Sequence, residues 1–215
     1  MQELALVTGI ILKVEQIGDF DRRVVILTLE RGKITAFARG ARKPNSRFVA
    51  STNPFVFGKF YLYEGKNSYS LNEAEIQNYF DDLRGDYLTA YYGMYFLEIS
   101  DYYTRENNDE RDMLKLLYQS LRALGHGGID NRLIRYVFEI KSLVVNGEFP
   151  GIPTGKEYKN ATVYTVDFIV NARIEKLYTF TLKEDILSEL GEIAGLTKNK
   201  IIHHSFKSLE ILDTL

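Results

Sequence analysis

The sequence predicts an α+β protein: a small five-stranded barrel at the N-terminal end, then a helical domain carrying a short inserted module. Three observations predict it. Short runs of β-branched and aromatic residues, separated by turn residues, fill the first 80 positions. From residue 79 the apolar spacing lengthens to that of a helix. Charge divides as well. Residues 1–60 hold ten Lys/Arg against five Asp/Glu, a balance of +5, and the rest hold seventeen against twenty-four, a balance of −7. A chain of 215 residues suits two small domains, or one domain with an insertion.

The first strand runs from Thr8 to Ile17 and ends at Gly18-Asp19. Arg23 to Leu29 follows, then a hairpin-like turn at Glu30-Arg31-Gly32-Lys33 and a third strand from Ile34 to Ala38. Pro54 to Tyr63 is stopped by Glu64-Gly65-Lys66-Asn67, and Ser68 to Ile76 closes the set. A closed five-stranded barrel of this size is an OB-fold, although strand count alone leaves an SH3-like barrel open. In the fourth strand Phe55, Phe57, Tyr61 and Tyr63 share one phase and Val56, Phe60 and Leu62 the other, so one set must fill the barrel.

Helical spacing predicts Asp82 to Tyr103, Asp109 to Leu124 with Gly125 and Gly127 as stops, and Asp130 to Val145 stopped by Asn146-Gly147. The short connections favour a bundle. Pro150, Gly151, Pro153 and Gly155 then mark an irregular loop, and the β-branched runs Thr162 to Val170 and Ile174 to Thr181 read as short strands or extended segments. Thr181-Leu182-Lys183-Glu184 is a capping-box pattern opening a helix through Ile186, Leu187 and Leu190, and Lys198 to Leu212 makes a final amphipathic segment. The expected domains are therefore 1–80, a helical domain of 81–147 and 181–215, and an inserted module of 148–180.

Composition removes much chemistry. With no cysteine, the chain has no disulfide, no thiolate nucleophile and no Cys-held zinc or iron–sulfur cluster. His203 and His204 are adjacent, about 100° apart on a helix, and cannot readily chelate one ion. The acidic pairs Asp19/Asp21, Asp81/Asp82 and Asp109/Glu110 fall at turns and helix starts, where capping accounts for them. No Gly-rich phosphate cradle is present. The reading is a non-enzyme without metal or cofactor. No apolar run reaches the ~18 residues of a membrane span, and Met1 to Leu12 lacks the basic start of a secretory signal, so a cytoplasmic location is expected.

The most informative stretch is the loop after the third strand. It carries Arg39, Arg42, Lys43 and Arg47 within nine residues, among Gly40, Pro44, Asn45 and Ser46. Cations on a loop beside a barrel can neutralise phosphates, and arginine is the better planar fork for them. The alternative is a solvated linker. Phe48, beside Arg47, is the candidate base-stacking ring, as in single-strand binders that stack bases between cations.

The residues also resemble a known family. Gly9 to Lys13, Gly18-Asp19-Phe20-Asp21-Arg22, Ile26-Leu27-Thr28, Gly32-Lys33, Ala38-Arg39-Gly40-Ala41-Arg42-Lys43, Ser46-Arg47 and Asn53-Pro54-Phe55 stand in the order seen in the RecO family. Ala74-Glu75, Leu97-Glu98, Ile134 to Glu139, Asn146-Gly147 with Pro150, and Lys207-Ser208-Leu209 continue it along nearly the whole chain. The resemblance implies an OB-fold, a helical domain and an inserted zinc-finger-like module. It implies a bacterial, nucleoid-associated protein of DNA repair and recombination, with single- and double-stranded DNA, RecR and the acidic C-terminal tail of single-stranded DNA-binding protein (SSB) as partners. It implies strand annealing and, with RecR, RecA loading on SSB-coated DNA. One departure is plain: many relatives hold zinc there with two Cys pairs, whereas the equivalent stretch here offers Thr154, Lys156, Tyr158, Ala172 and Arg173. Zinc cannot be held without the thiolates, so the module must stand on packing, with Tyr158, Val163, Tyr164, Phe168 and Tyr178 as candidates.

Residues and resemblance together nominate Arg22, Lys33, Arg39, Arg42, Lys43, Arg47 and Phe48 for DNA contact. If about five phosphates are neutralised, single-strand affinity falls with log salt at a slope near −3.5. For the acidic tail, Arg122, Arg132, Arg135 and Lys141 lie on helices with apolar faces and could rim a pocket for it; ordinary solvated cations are the alternative. The second functional reading is an adaptor that links RecR to SSB-coated DNA without annealing.

Overall fold

The computed structural model describes residues 3–66 and 68–215; Met1, Gln2 and Asn67, the last residue of the expected turn at 64–67, lie outside them. The N-terminal strands are β1 (Leu4–Ile17), β2 (Asp21–Thr28), β3 (Gly32–Ala38), β4 (Phe57–Glu64) and β5 (Tyr69–Asn78), with a short helix α1 (Phe48–Ser51) between β3 and β4. They form a closed barrel in the order β1-β2-β3-β5-β4, with β4 returning to β1. Closure is made by an antiparallel β1/β4 pair and a short parallel β3/β5 pair at Ala36–Tyr69 and Phe37–Ser70. This strand order is that of the OB-fold and removes the SH3-like alternative.

Of the two phases in β4, the structure turns Val56, Phe60 and Leu62 inward, where they meet Val7, Ile26 and Ile34. Phe57, Tyr61 and Tyr63 face out, and Phe55 is buried just ahead of the strand at φ +75°. The long first strand serves two partners at Gly9, which pairs with Thr28 on one side and Gly58 on the other. Neither glycine has room for a side chain. A Cβ at Gly9 would sit 2.2 Å from the Leu27 carbonyl oxygen, and one at Gly58 would sit 2.3 Å from that of Glu75. Because backbone rather than a flexible side chain must yield, Gly9→Ala and Gly58→Ala should each cost about 3 kcal/mol or more, the upper range for overpacking. Thermal unfolding of the purified variants checks this, and an unchanged melting temperature would refute it.

The chain divides into two compact units, residues 1–81 with 97–114, and residues 82–96 with 115–215. The helices are α2 (Tyr87–Tyr103), α3 (Arg111–His126), α4 (Asn131–Val145), α5 (Asn160–Asn171), α6 (Glu184–Ile201) and α7 (Lys207–Leu212). Helix α2 starts later than the spacing predicts, because Asp86 is the residue that caps it: its carboxylate accepts from Thr89 N at 2.8 Å, and residues 81–84 form a 3-10 turn. Helix α4 is capped by Asp130, which accepts from Arg132 N.

Sequence expectations for the second unit are corrected here. Thr162 to Val170 is helical, not extended. Thr162, Thr165, Val166 and Ile169 are buried at the spacing of one helical face, and α5 packs on α4 and α6 through it. Burial of that face outweighs the β propensity of the residues. Ile174 to Lys176 is a 3-10 turn. Of the side chains expected to hold this module, Val163 and Tyr164 are exposed, whereas Tyr178 shares a hydrogen bond with Ser120 and Phe168 meets Phe180 edge to face. The Thr181 capping box is not used, since α6 begins after Lys183 with no side-chain cap. The last predicted segment is broken: α6 ends at Ile201, His203 and His204 lie in an exposed connection, and α7 starts after the buried Phe206.

Candidate nucleic-acid interface

Residues 39–47 leave β3 as a chain of turns, with Lys43 N donating to Gly40 O and Ser46 N to Lys43 O. The loop is stitched to the turn between β1 and β2. Gly40 N donates to Asp21 Oδ1 at 2.7 Å, Arg42 N donates to Phe20 O at 2.8 Å, and Arg42 Nη1 reaches Gly18 O at 3.3 Å. The β1–β2 turn is one of the two loops by which this fold grips oligonucleotides, so the sequence places its densest basic run against a known binding edge.

The four loop cations share one property: among the described residues, none is in ion-pair distance of a carboxylate. Arg39 is exposed, and its side chain has no hydrogen-bond partner among the described residues. Arg42 bonds a carbonyl, Lys43 holds its ammonium 5.7 Å from the centre of the Phe20 ring, and Arg47 donates to Asn72 O while lying 4.8 Å from the Phe48 ring. Their charge is therefore uncompensated at short range, the condition for attracting phosphate.

The other nominated residues fall differently. Arg22 is a strut. Its guanidinium donates to Val49 O at 2.9 Å, Thr52 Oγ1 at 2.7 Å and Asn53 Oδ1 at 3.2 Å, fixing the end of α1. Burial, and then the neighbouring Arg42, push its pKa down, although an arginine keeps its proton. Lys33 is tied to Asp101, with Nζ 2.8 Å from Oδ1. Phe48 is 8% exposed and belongs to the barrel core, so it is not presented to a base. The ring that is presented is Phe20, 48% exposed at the tip of the β1–β2 turn. The signal was present in Gly18-Asp19-Phe20-Asp21, an aromatic residue inside a turn where burial has little to offer it.

The four helical cations do not converge on an open rim. Arg132 forks between Asp130 and Glu184, at 2.7 and 2.9 Å, and its hydrogen bonds hold both carboxyls below the usual range. Arg135 bonds Glu139 and Asp213. Lys141 is buried and donates to Val170 O and Ala172 O, closing the C-terminal end of α5. Arg122 is exposed, 3.5 Å from the His126 ring nitrogen. Among the described residues no three or more His, Asp or Glu gather as a metal site, and no helix is long and apolar enough to cross a membrane.

Comparison with known proteins adds the lineage. Two family profiles match, "Recombination protein O N terminal" over residues 1–80 and "Recombination protein O C terminal" over residues 84–152. Similar curated proteins include the DNA repair protein RecO of Acetivibrio thermocellus, 25% identical over 97% of this chain and 96% of that one. That of Clostridium perfringens is 26% identical over 95% of each, and that of Exiguobacterium sp. is 32% identical over 68% of this chain and 59% of its own.

Proposed function

Because the chain belongs to the RecO family of DNA repair proteins, we propose that it binds DNA through Arg39, Arg42, Lys43 and Arg47 and anneals complementary single strands. With RecR it then promotes RecA loading on SSB-coated DNA. The observation that carries the reading is the set of four loop cations without carboxylate partners among the described residues, on a loop stitched to the β1–β2 turn of an OB-fold. Annealing asks for no covalent step. Two strands repel through their phosphates; cations held on a fixed loop displace counterions, lower that repulsion and raise the local strand concentration. Base pairing then supplies the specificity. Arg22 and Lys33 serve this site by holding α1 and β3 in place.

The partner roles rest on the resemblance. Capture of the acidic SSB tail belongs to the helical unit, where Arg122 is the one nominated cation that no carboxylate or backbone carbonyl engages among the described residues.

Annealing of complementary strands coated with SSB tests the reading. The parent should accelerate it, and an Arg39→Ala/Arg42→Ala/Lys43→Ala/Arg47→Ala variant should lose at least about tenfold of that rate, because single-strand binding is dominated by phosphate contacts. Equal acceleration by both would move the DNA site elsewhere. A parent that anneals neither coated nor naked strands, yet still joins RecR to coated DNA, would favour the adaptor.

A further inference from the structure

Phe20 is an expensive residue to leave where it is. Nearly half of its surface is in water, at a turn flanked by the exposed Gly18 and Asp19. Yet the turn is not loose. The Phe20 carbonyl accepts from Arg42 N, and the Asp21 carboxylate next to it accepts from Gly40 N, so ring and basic loop are parts of one hydrogen-bonded piece. The Lys43 ammonium stands over the ring at 5.7 Å and has no other partner among the described residues. Of the other aromatics near the loop in sequence, Phe48, Phe55 and Phe60 are buried, the Tyr61 hydroxyl donates to Glu75, and Tyr63, 37% exposed, is less exposed than Phe20. Asp19 is the one exposed acid in the turn, set against the uncompensated charges of Arg39, Arg42 and Lys43.

We propose that Phe20 is the base-stacking residue of this interface, taking an unpaired nucleobase on its exposed face while the flanking phosphates lie on Arg39, Arg42 and Lys43. The proposal rests on the DNA-binding reading and adds the class of ligand: single strands with accessible bases, in preference to duplex. The chemistry is complementary at each step. An arriving phosphate offers the Lys43 ammonium a full charge in place of the weak attraction of the ring quadrupole, so the lysine leaves the ring as the strand enters. The uncovered ring then stacks a base without regard to sequence, since every base has a π-face. When two strands pair, the base turns inward to its partner and the ring loses its contact. Phe20 therefore holds the reactant strands more tightly than the annealed product.

The chain has no tryptophan, so Phe20→Trp creates a single fluorescent reporter at the tip. Binding is followed separately by the anisotropy of labelled strands. Oligo(dT) should quench the introduced indole, an abasic strand of equal length should bind without quenching, and Phe20→Ala should weaken oligo(dT) binding about tenfold while leaving abasic and duplex affinities unchanged. If oligo(dT) binds but the indole emission does not change, and Phe20→Ala binds like the parent, stacking at Phe20 is overturned and the phosphate site stands. If the parent does not bind oligo(dT) at all, the proposal falls together with the reading beneath it.

Discussion

The Arg39→Ala/Arg42→Ala/Lys43→Ala/Arg47→Ala variant should bind an unstructured single strand several hundred-fold more weakly than the parent near 0.1 M salt, with almost no remaining salt dependence. Each phosphate neutralised on a single strand contributes about −0.7 to the slope of log affinity against log salt. The sequence suggests about five such contacts and a slope near −3.5. The structure lowers this, because Arg22 is committed to α1 and Lys33 to Asp101. Four cations remain, and the expected slope becomes about −2.8. Extrapolated from 1 M to 0.1 M salt, that slope corresponds to roughly 600-fold in affinity. At Arg39 and Lys43 such surface changes cost within about 0.5 kcal/mol each; Arg42→Ala gives up the bond to Gly18 O, and Arg47→Ala the bond to Asn72 O and the contact with the Phe48 ring, so retained fold is checked by circular dichroism before affinity is read. Two companion variants make the assignment specific. Arg22→Ala should cost stability more than slope, since it leaves the Thr52 and Asn53 acceptors without their donor. Arg132→Ala should leave the slope unchanged, because that guanidinium is already neutralised by Asp130 and Glu184. Salt titrations by anisotropy give all three slopes; a parent slope close to zero would remove phosphate contact as the basis of binding.

The barrel was legible because its signals are local. Alternation in β4 separates inward from outward rings, and Gly18-Asp19 and Arg31-Gly32 mark the turns between paired strands. The basic loop was legible by density alone. What sequence could not give was allocation. Whether an arginine meets phosphate, carbonyl or carboxylate depends on residues distant in the chain, as with Arg22 and Thr52 or Arg132 and Glu184. Phe48 shows the same limit: its neighbours suggest a loop, while its side chain fills the barrel. The segment 162–170 failed for a different reason. Its β-branched residues speak for a strand, yet 162, 165, 166 and 169 also fit a helical face, and α4 and α6 supply the surface that decides between them.

Removing Glu139 should be among the most damaging single changes in the second unit, although its place in the Ile134 to Glu139 landmark says nothing of its partners. The residue is 2% exposed, and its carboxylate accepts from the Tyr95 hydroxyl at 2.6 Å and Arg135 Nε at 3.1 Å and pairs with Lys198 Nζ at 3.5 Å. The phenol itself is wholly buried, with Phe206 edge-on to its ring, and burial followed by the Glu139 charge raises its pKa well above the usual value, so it stays a donor. One acid thus joins α2, α4 and α6. In Glu139→Ala, Lys198, its side chain 10% exposed, loses its anion and Arg135, 17% exposed, keeps only the exposed Asp213, and breaking a buried pair from one side costs about 3–5 kcal/mol. Glu139→Gln keeps an acceptor for the Tyr95 hydroxyl but not the charge, and should fall between Glu139→Ala and the parent. The triple change Arg135→Met/Glu139→Leu/Lys198→Met should recover part of the loss, because replacing a buried ion group by packed apolar side chains is often neutral or better, while the buried Tyr95 hydroxyl, left without its acceptor, still costs about 1–3 kcal/mol. Hydrogen exchange of the α4 and α6 amides measures this within the intact chain. Protection should drop steeply in Glu139→Ala and return in part in the triple variant. Unchanged protection in Glu139→Ala would mean that the shared carboxylate contributes nothing net, and that apolar packing alone holds these helices together.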